Sequence, residues 1–63
     1  MEFGELVRNE RIKRGLDQME LGKRAGVSNM SIHRLENGGN VTIKTLSLIL
    51  EVFDMKLEAV ENG

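Results

Sequence analysis

The segment from residue 18 to residue 37 constrains the fold most, because its spacing fits two short helices that cross steeply at a tight turn. Apolar residues recur four positions apart in the first helix and three apart in the second, so each helix can bury one stripe. Gly26 follows the first helix, where a left-handed backbone conformation is commonly required and costs glycine little. Gly22 places no side chain between the helices. The apolar positions are Leu21, Ala25, Val27, Ile32 and Leu35.

Residues at the helix ends support the same boundaries. Asp17 precedes the first helix and Glu20 lies three residues later, which is the reciprocal N-terminal capping arrangement. Ser28 offers a hydroxyl N-cap to the second helix, and Asn37 with the two glycines after it ends that helix. The polar residues 29–34 of the second helix are then left outside the core.

Length and composition limit the class of protein. The chain has 63 residues, no cysteine and one histidine. A domain of this size buries only about 60% of its unfolded surface, so we expect oligomerisation to stabilise it. Without cysteine there is no disulfide, thiolate zinc site or cysteine nucleophile, and His33 alone cannot hold a metal, so we predict no cofactor and no enzyme. The chain lacks the ~20 consecutive apolar residues of a membrane span and has an acidic N-terminus, so we expect a cytoplasmic protein with no membrane partner.

The charges are segregated along the chain, although the net charge is only −1. Residues 1–44 hold eight Lys and Arg against six Asp and Glu, a net charge of +2. Residues 45–63 hold one lysine against four acidic residues, a net charge of −3. A mildly positive motif can attract nucleic acid, and this attraction should depend strongly on salt.

The first helix, predicted at about residues 2–14, carries Arg11 in line with its apolar stripe. An arginine on the buried side needs a partner, and Glu36 at the end of the second motif helix is the nearest candidate by topology. The sequence predicts a structural ion pair between them. The alternative is that Arg11 extends to solvent while its aliphatic stem covers the core.

The C-terminal part has more apolar surface than one core needs. A last helix at about residues 43–53 has a core stripe of Ile43, Leu46, Ile49, Leu50 and Phe53, and a second apolar row that indicates a partner surface. Residues 55–59 alternate apolar and polar, which predicts a strand that pairs with the same strand of a second copy. A frayed tail is the alternative. The predicted dimer-interface residues are Leu48, Val52, Met55, Leu57 and Ala59.

These motifs resemble the Cro/C1-type, or lambdoid-repressor-like, helix-turn-helix family. The resemblance implies a compact all-α domain of four helices over residues 1–63, with the motif at 18–37 and dimerisation through about 43–61. The last segment is similar to DNA-binding antitoxins of the high-persistence type, which implies a short C-terminal strand paired across a homodimer. Gly22 departs from the family, which mostly has alanine there. The matching segments are Arg11-Ile12, Asp17–Gly22, Gly26–Ser28, Ser31-Ile32, Leu35–Gly38 and the stretch 42–57.

In the docking that this resemblance implies, the second motif helix enters the major groove of double-stranded DNA. Asn29 can then bind adenine, Arg34 can bind guanine O6 and N7, and Met30 can contact a thymine methyl group. Other polar residues around the motif can bind phosphates, and His33 can contact a base, a phosphate or neither. The predicted DNA-binding residues are Gln18, Ser28, Asn29, Met30, Ser31, His33, Arg34, Asn37 and Asn40.

Two classes of function remain open at this point. The first is a homodimeric, sequence-specific transcriptional repressor from a prokaryote or phage that binds a palindromic operator at its own promoter, in one version as an antitoxin with a toxin partner. The second is a protein-interaction module that keeps the fold without reading DNA. The acidic pI of 5.8 favours the second slightly, whereas Asn29, Arg34 and Gln18 at positions that can contact DNA favour the first.

Overall fold

Four α-helices joined by short turns make up the chain from its N-terminal end to residue 52. The computed structural model describes residues 2–61, and it confirms the predicted all-α architecture of four helices. Within that range, no helix combines the length and the apolar character needed to cross a bilayer. The helices are α1 (Phe3–Lys13), α2 (Gln18–Ala25), α3 (Asn29–Glu36) and α4 (Ile43–Val52).

The core lies where all four helices meet. Val7, Leu21, Ile32 and Ile49 have no exposed surface, and each belongs to a different helix. Truncating any of these side chains would open a cavity in the shared core. The remaining buried apolar side chains are Leu16, Ala25, Leu35, Leu46, Leu50 and Phe53.

Capping side chains begin three of the helices at the predicted places. Asp17 Oδ1 accepts the Glu20 backbone N–H at 2.7 Å, and Glu20 Oε1 accepts the Asp17 N–H at 3.0 Å. The hydroxyls of Ser28 and Thr42 each accept the backbone N–H three residues later, at 3.1 Å. Gly26 has a φ of 75°, so the predicted left-handed residue at the end of α2 is confirmed as well.

Ile43 lies outside the core, and its prediction as a core residue is wrong. The side chain is 76% exposed. Helical side chains point towards the N-terminus of their helix, so the first residue of α4 projects past the helix start. The core stripe of α4 therefore begins one turn later, at Leu46, which is buried.

The C-terminal tail, residues 55–61, contains no strand in the described chain, although a strand is predicted at residues 55–59. The alternation behind that prediction is present, because Met55 and Leu57 pack against the core while the residues between and after them are exposed. A strand needs a neighbouring strand to satisfy its backbone hydrogen bonds, and a single helical domain supplies none. A single chain therefore has the apolar face that the predicted strand requires, but not the backbone hydrogen bonds to a second strand.

Candidate nucleic-acid interface

One face of α3 points away from the core. On the opposite face Ile32 and Leu35 are 0% and 6% exposed, and they anchor the helix. The outward side chains are an amide, a thioether, an imidazole and a guanidinium, which can bind base edges by hydrogen bonds and apolar contact. They belong to Asn29, Met30, His33 and Arg34, with Ser31 half-buried among them.

The crossing of α2 and α3 depends on Gly22. A Cβ atom at this position would lie 2.8 Å from the Val27 carbonyl oxygen and 3.3 Å from the Asn29 backbone nitrogen. Both neighbours are backbone atoms, so a side chain here would push α3 away from α2. The close approach of the two motif helices therefore requires glycine at position 22.

Ser28 and Ser31 occupy the start of α3. The Ser28 hydroxyl accepts the Ser31 N–H at 3.1 Å and lies 3.0 Å from the Ser31 hydroxyl. Because a hydroxyl has one hydrogen and two lone pairs, one of these two groups keeps a hydrogen for a ligand. The predicted phosphate residue Ser28 is thus also the cap that begins α3.

An ion pair ties α1 to the C-terminal end of α3. Arg11 donates from Nε to Glu36 Oε2 at 2.8 Å and from Nη2 to Glu36 Oε1 at 2.9 Å. Arg11 also donates from Nη1 to the Leu16 carbonyl oxygen at 2.9 Å. The hydrogen bonds to Glu36 raise the pKa of Arg11 above its ordinary value. Arg11 and Glu36 therefore form the ion pair that their positions in the sequence predict.

Gln18 joins the same network from the start of α2. Its Nε2 donates to Glu36 Oε1 at 3.3 Å. A primary amide has two N–H groups, so one is held by Glu36 and the other stays available to a phosphate oxygen. The sequence predicts the phosphate role of Gln18 but contains no signal for its bond to Glu36.

Arg34 borders a polar groove between α3 and the start of α4. Gly39 packs against the Arg34 side chain. A Cβ atom at position 39 would lie only 2.5 Å from Arg34 Cγ, so the absence of a side chain there leaves room for the arginine. The Gly39 N–H also donates to the Arg34 carbonyl oxygen at 2.8 Å. Among residues 2–61 the arginine side-chain hydrogen bonds and ion pairs involve only Arg11 and Arg14, so the Arg34 guanidinium keeps all its donors. The groove is lined by Ser31, Arg34, Asn40, Val41, Thr42 and Thr45.

Asn37 is exposed and its side-chain amide binds His33. Its Nδ2 donates to the His33 carbonyl oxygen at 2.8 Å and lies 3.4 Å from His33 Nδ1. The backbone N–H groups of Gly38 and Gly39 donate to carbonyls of α3, at 3.2 and 2.8 Å. These donors are therefore engaged within the chain, which favours the exposed Asn40 over Asn37 as a phosphate ligand.

The residues predicted for a dimer interface differ in whether they pack against the core of their own chain. Val52, Met55 and Leu57 are half-buried and pack against the core of their own chain. Leu48 is half-buried and Ala59 is exposed. Only part of this predicted surface is therefore free in a single chain.

Comparison with known proteins gives one family. The helix-turn-helix model matches residues 7–60, which include α2, α3 and the turn between them. No curated protein and no solved structure matches the chain.

Proposed function

The chain belongs to the Cro/C1-type helix-turn-helix family of DNA-binding regulators, and on this premise we propose that it is a sequence-specific repressor. In this proposal, two copies bind a palindromic operator with α3 of each copy in the major groove. The observation that carries the proposal is the outward face of α3, where the Arg34 guanidinium has no partner in residues 2–61. An unpaired guanidinium is suited to the O6 and N7 atoms of guanine.

The other proposed contacts follow from the hydrogen-bonding groups and the exposed apolar surface that each side chain does not use within the chain. Asn29 is exposed at the first turn of α3, where its amide can bind adenine, and the 60% exposed Met30 can contact a thymine methyl group. Gln18 with one free N–H, the Ser28 hydroxyl and the Asn40 amide would bind phosphates and set the register. This division separates residues that specify sequence from residues that position the protein.

Replacing Arg34 with alanine should weaken binding to the selected operator by about 1–3 kcal/mol for each half-site, the contribution of one bidentate arginine–guanine contact. The preference for guanine at one position of each half-site should disappear as well. Fluorescence anisotropy with operators chosen from random DNA, at one fixed salt concentration, measures both effects.

Arg24→Ala is the matched control for Arg34→Ala, because Arg24 is an exposed arginine in the last turn of α2. This control should lower the affinity for all sequences equally, if it lowers it at all. Failure of the wild-type protein to enrich any DNA motif at low salt would contradict the repressor function. It would favour the protein-interaction module instead.

The homodimer is proposed for the apolar surface that one chain leaves uncovered. Leu48 is half-exposed on α4, Ile43 is 76% exposed at its start, and the tail has an apolar face without strand pairing. Antiparallel pairing of residues 55–59 about a two-fold axis would satisfy the backbone of both tails. It would also present two copies of α3 to one side of the duplex.

Changing Leu48 to aspartate should convert the dimer to a monomer, because a carboxylate would be placed in the proposed interface without a partner. Sedimentation equilibrium measures the mass, and circular dichroism verifies that the helices persist. Ile12→Asp is the control, since Ile12 is a 55% exposed apolar residue on α1 outside the proposed interface. A monomeric wild-type protein at the concentrations that bind DNA would contradict the dimer.

An antitoxin role would add a toxin as a further partner. The acidic residues that follow α4 are exposed, and they include Asp54, Glu58 and Glu61. Exposed carboxylates on a tail favour a partner with a basic surface. Co-expression of the adjacent gene product with the chain, followed by a growth assay, tests this version.

A further inference from the structure

Asn37 and His33 make two contacts at the end of α3. Asn37 Nδ2 lies 2.8 Å from the His33 carbonyl oxygen and 3.4 Å from the His33 ring atom Nδ1. A backbone carbonyl can only accept a hydrogen bond, so the atom facing it must be the amide nitrogen of Asn37. This contact fixes the orientation of the Asn37 amide independently of the ring.

The same nitrogen has a second hydrogen to donate and lies 3.4 Å from Nδ1 of the imidazole. A neutral imidazole carries its proton on one nitrogen and accepts with the other. If Nδ1 carried the proton, two hydrogens would oppose each other, whereas an unprotonated Nδ1 accepts from the amide. We propose that Asn37 is a positioning residue that holds neutral His33 in the tautomer with its proton on Nε2.

This tautomer decides what His33 can offer to DNA, and this consequence rests on the DNA-binding function proposed above. His33 is exposed on the outward face of α3, with Nδ1 occupied by Asn37. The ring then has one outward donor, Nε2–H, and no free acceptor. In the major groove guanine offers two acceptors, thymine and adenine offer one each, and cytosine offers only a donor. Asn37 therefore selects for an acceptor-bearing base without touching the DNA.

The tautomer can be measured without DNA, because His33 is the one histidine of the chain. A long-range proton–nitrogen NMR spectrum of the free protein, at a pH where the imidazole is neutral, distinguishes the protonated ring nitrogen from the accepting one. We expect Nε2–H in the wild type, a mixture of tautomers in Asn37→Ala, and Nδ1–H in Asn37→Asp. In the last variant the carboxylate cannot donate to the His33 carbonyl oxygen, so that contact is lost, and its contact with the ring requires a proton on Nδ1.

Asn9→Ala is the matched control, since Asn9 is an exposed asparagine on α1. It should leave the imidazole spectrum unchanged. Dominant Nδ1–H in the wild type, or an unchanged tautomer population in Asn37→Ala, would overturn the proposal. Circular dichroism of each variant shows whether the helices persist, so that a change in tautomer is not confused with unfolding.

Selection of DNA from a random pool tests the consequence for specificity. The wild type should prefer guanine, thymine or adenine over cytosine at one position by about three- to tenfold, as expected for one neutral hydrogen bond. Asn37→Asp should shift this position towards cytosine, whose major-groove edge offers only a donor. If no DNA were selected, the proposed function would fail while the tautomer result would stand. If DNA were selected and Asn37→Asp kept every base preference, the specificity role of Asn37 would be wrong.

Discussion

Replacing Arg11 with leucine is expected to lower the free energy of unfolding by about 1–3 kcal/mol, because the part-buried Glu36 carboxylate loses its charged partner and keeps only the Gln18 amide as a donor. The Glu36 side chain is only 4% exposed, and both of its oxygens accept from Arg11. The Leu16 carbonyl oxygen would lose its donor in the same variant. Urea denaturation followed by circular dichroism measures the loss, which for a domain of 63 residues is a large part of the total stability.

The double variant Arg11→Leu with Glu36→Leu separates the value of the ion pair from the cost of an unpaired carboxylate. Apolar residues that replace both members of a buried pair are often neutral or stabilising, so the double variant should recover most of the stability. A single variant within about 0.5 kcal/mol of the wild type, the usual range for surface substitutions, would show that Glu36 finds water or another donor.

Replacing Ile32 with alanine is expected to destabilise the protein by about 2–5 kcal/mol, through lost burial and the cavity that remains. Ile32 has no exposed surface and lies on the inner face of α3. Thermal and urea unfolding both measure this loss, and the DNA affinity should fall with the folded fraction.

Ile43→Ala provides the same chemical change on the surface. Ile43 is 76% exposed in one chain, so its truncation should change the stability of dilute, monomeric protein by no more than about 0.5 kcal/mol. Equal losses in the two variants would mean that Ile43 is covered in solution, as the proposed dimer allows. Dilution distinguishes that case, since a loss that arises at a dimer interface depends on protein concentration.

The helix ends of the motif were predictable because their determinants are local. Asp17 with Glu20, and Ser28 with Ser31, are three residues apart, so the sequence itself places the capping groups together. The Arg11–Glu36 contact spans 25 residues and was still predictable, because an arginine in line with an apolar stripe needs an acceptor.

The predictions from the sequence are wrong or incomplete where the position of a residue depends on tertiary packing. Periodicity put Ile43 on the core stripe of α4, but it could not show that the side chain of the first helical residue projects past the helix start. Alternation identified the inward face of the tail, but it cannot specify which strand pairs with it. The bond of Asn37 to His33 depends on one rotamer at a helix end, for which the sequence has no signal, and it changes the predicted phosphate role of Asn37.

Each helix places one fully enclosed side chain in the centre of the domain, and this has a consequence for how the protein opens. Because these side chains belong to one cluster, we expect the four helices to unfold together as one cooperative unit. The binding free energy that α3 gains from a ligand therefore also stabilises α1 and α4, although these helices need not contact the ligand. A ligand that binds only the folded protein would therefore raise the free energy of unfolding of the whole domain.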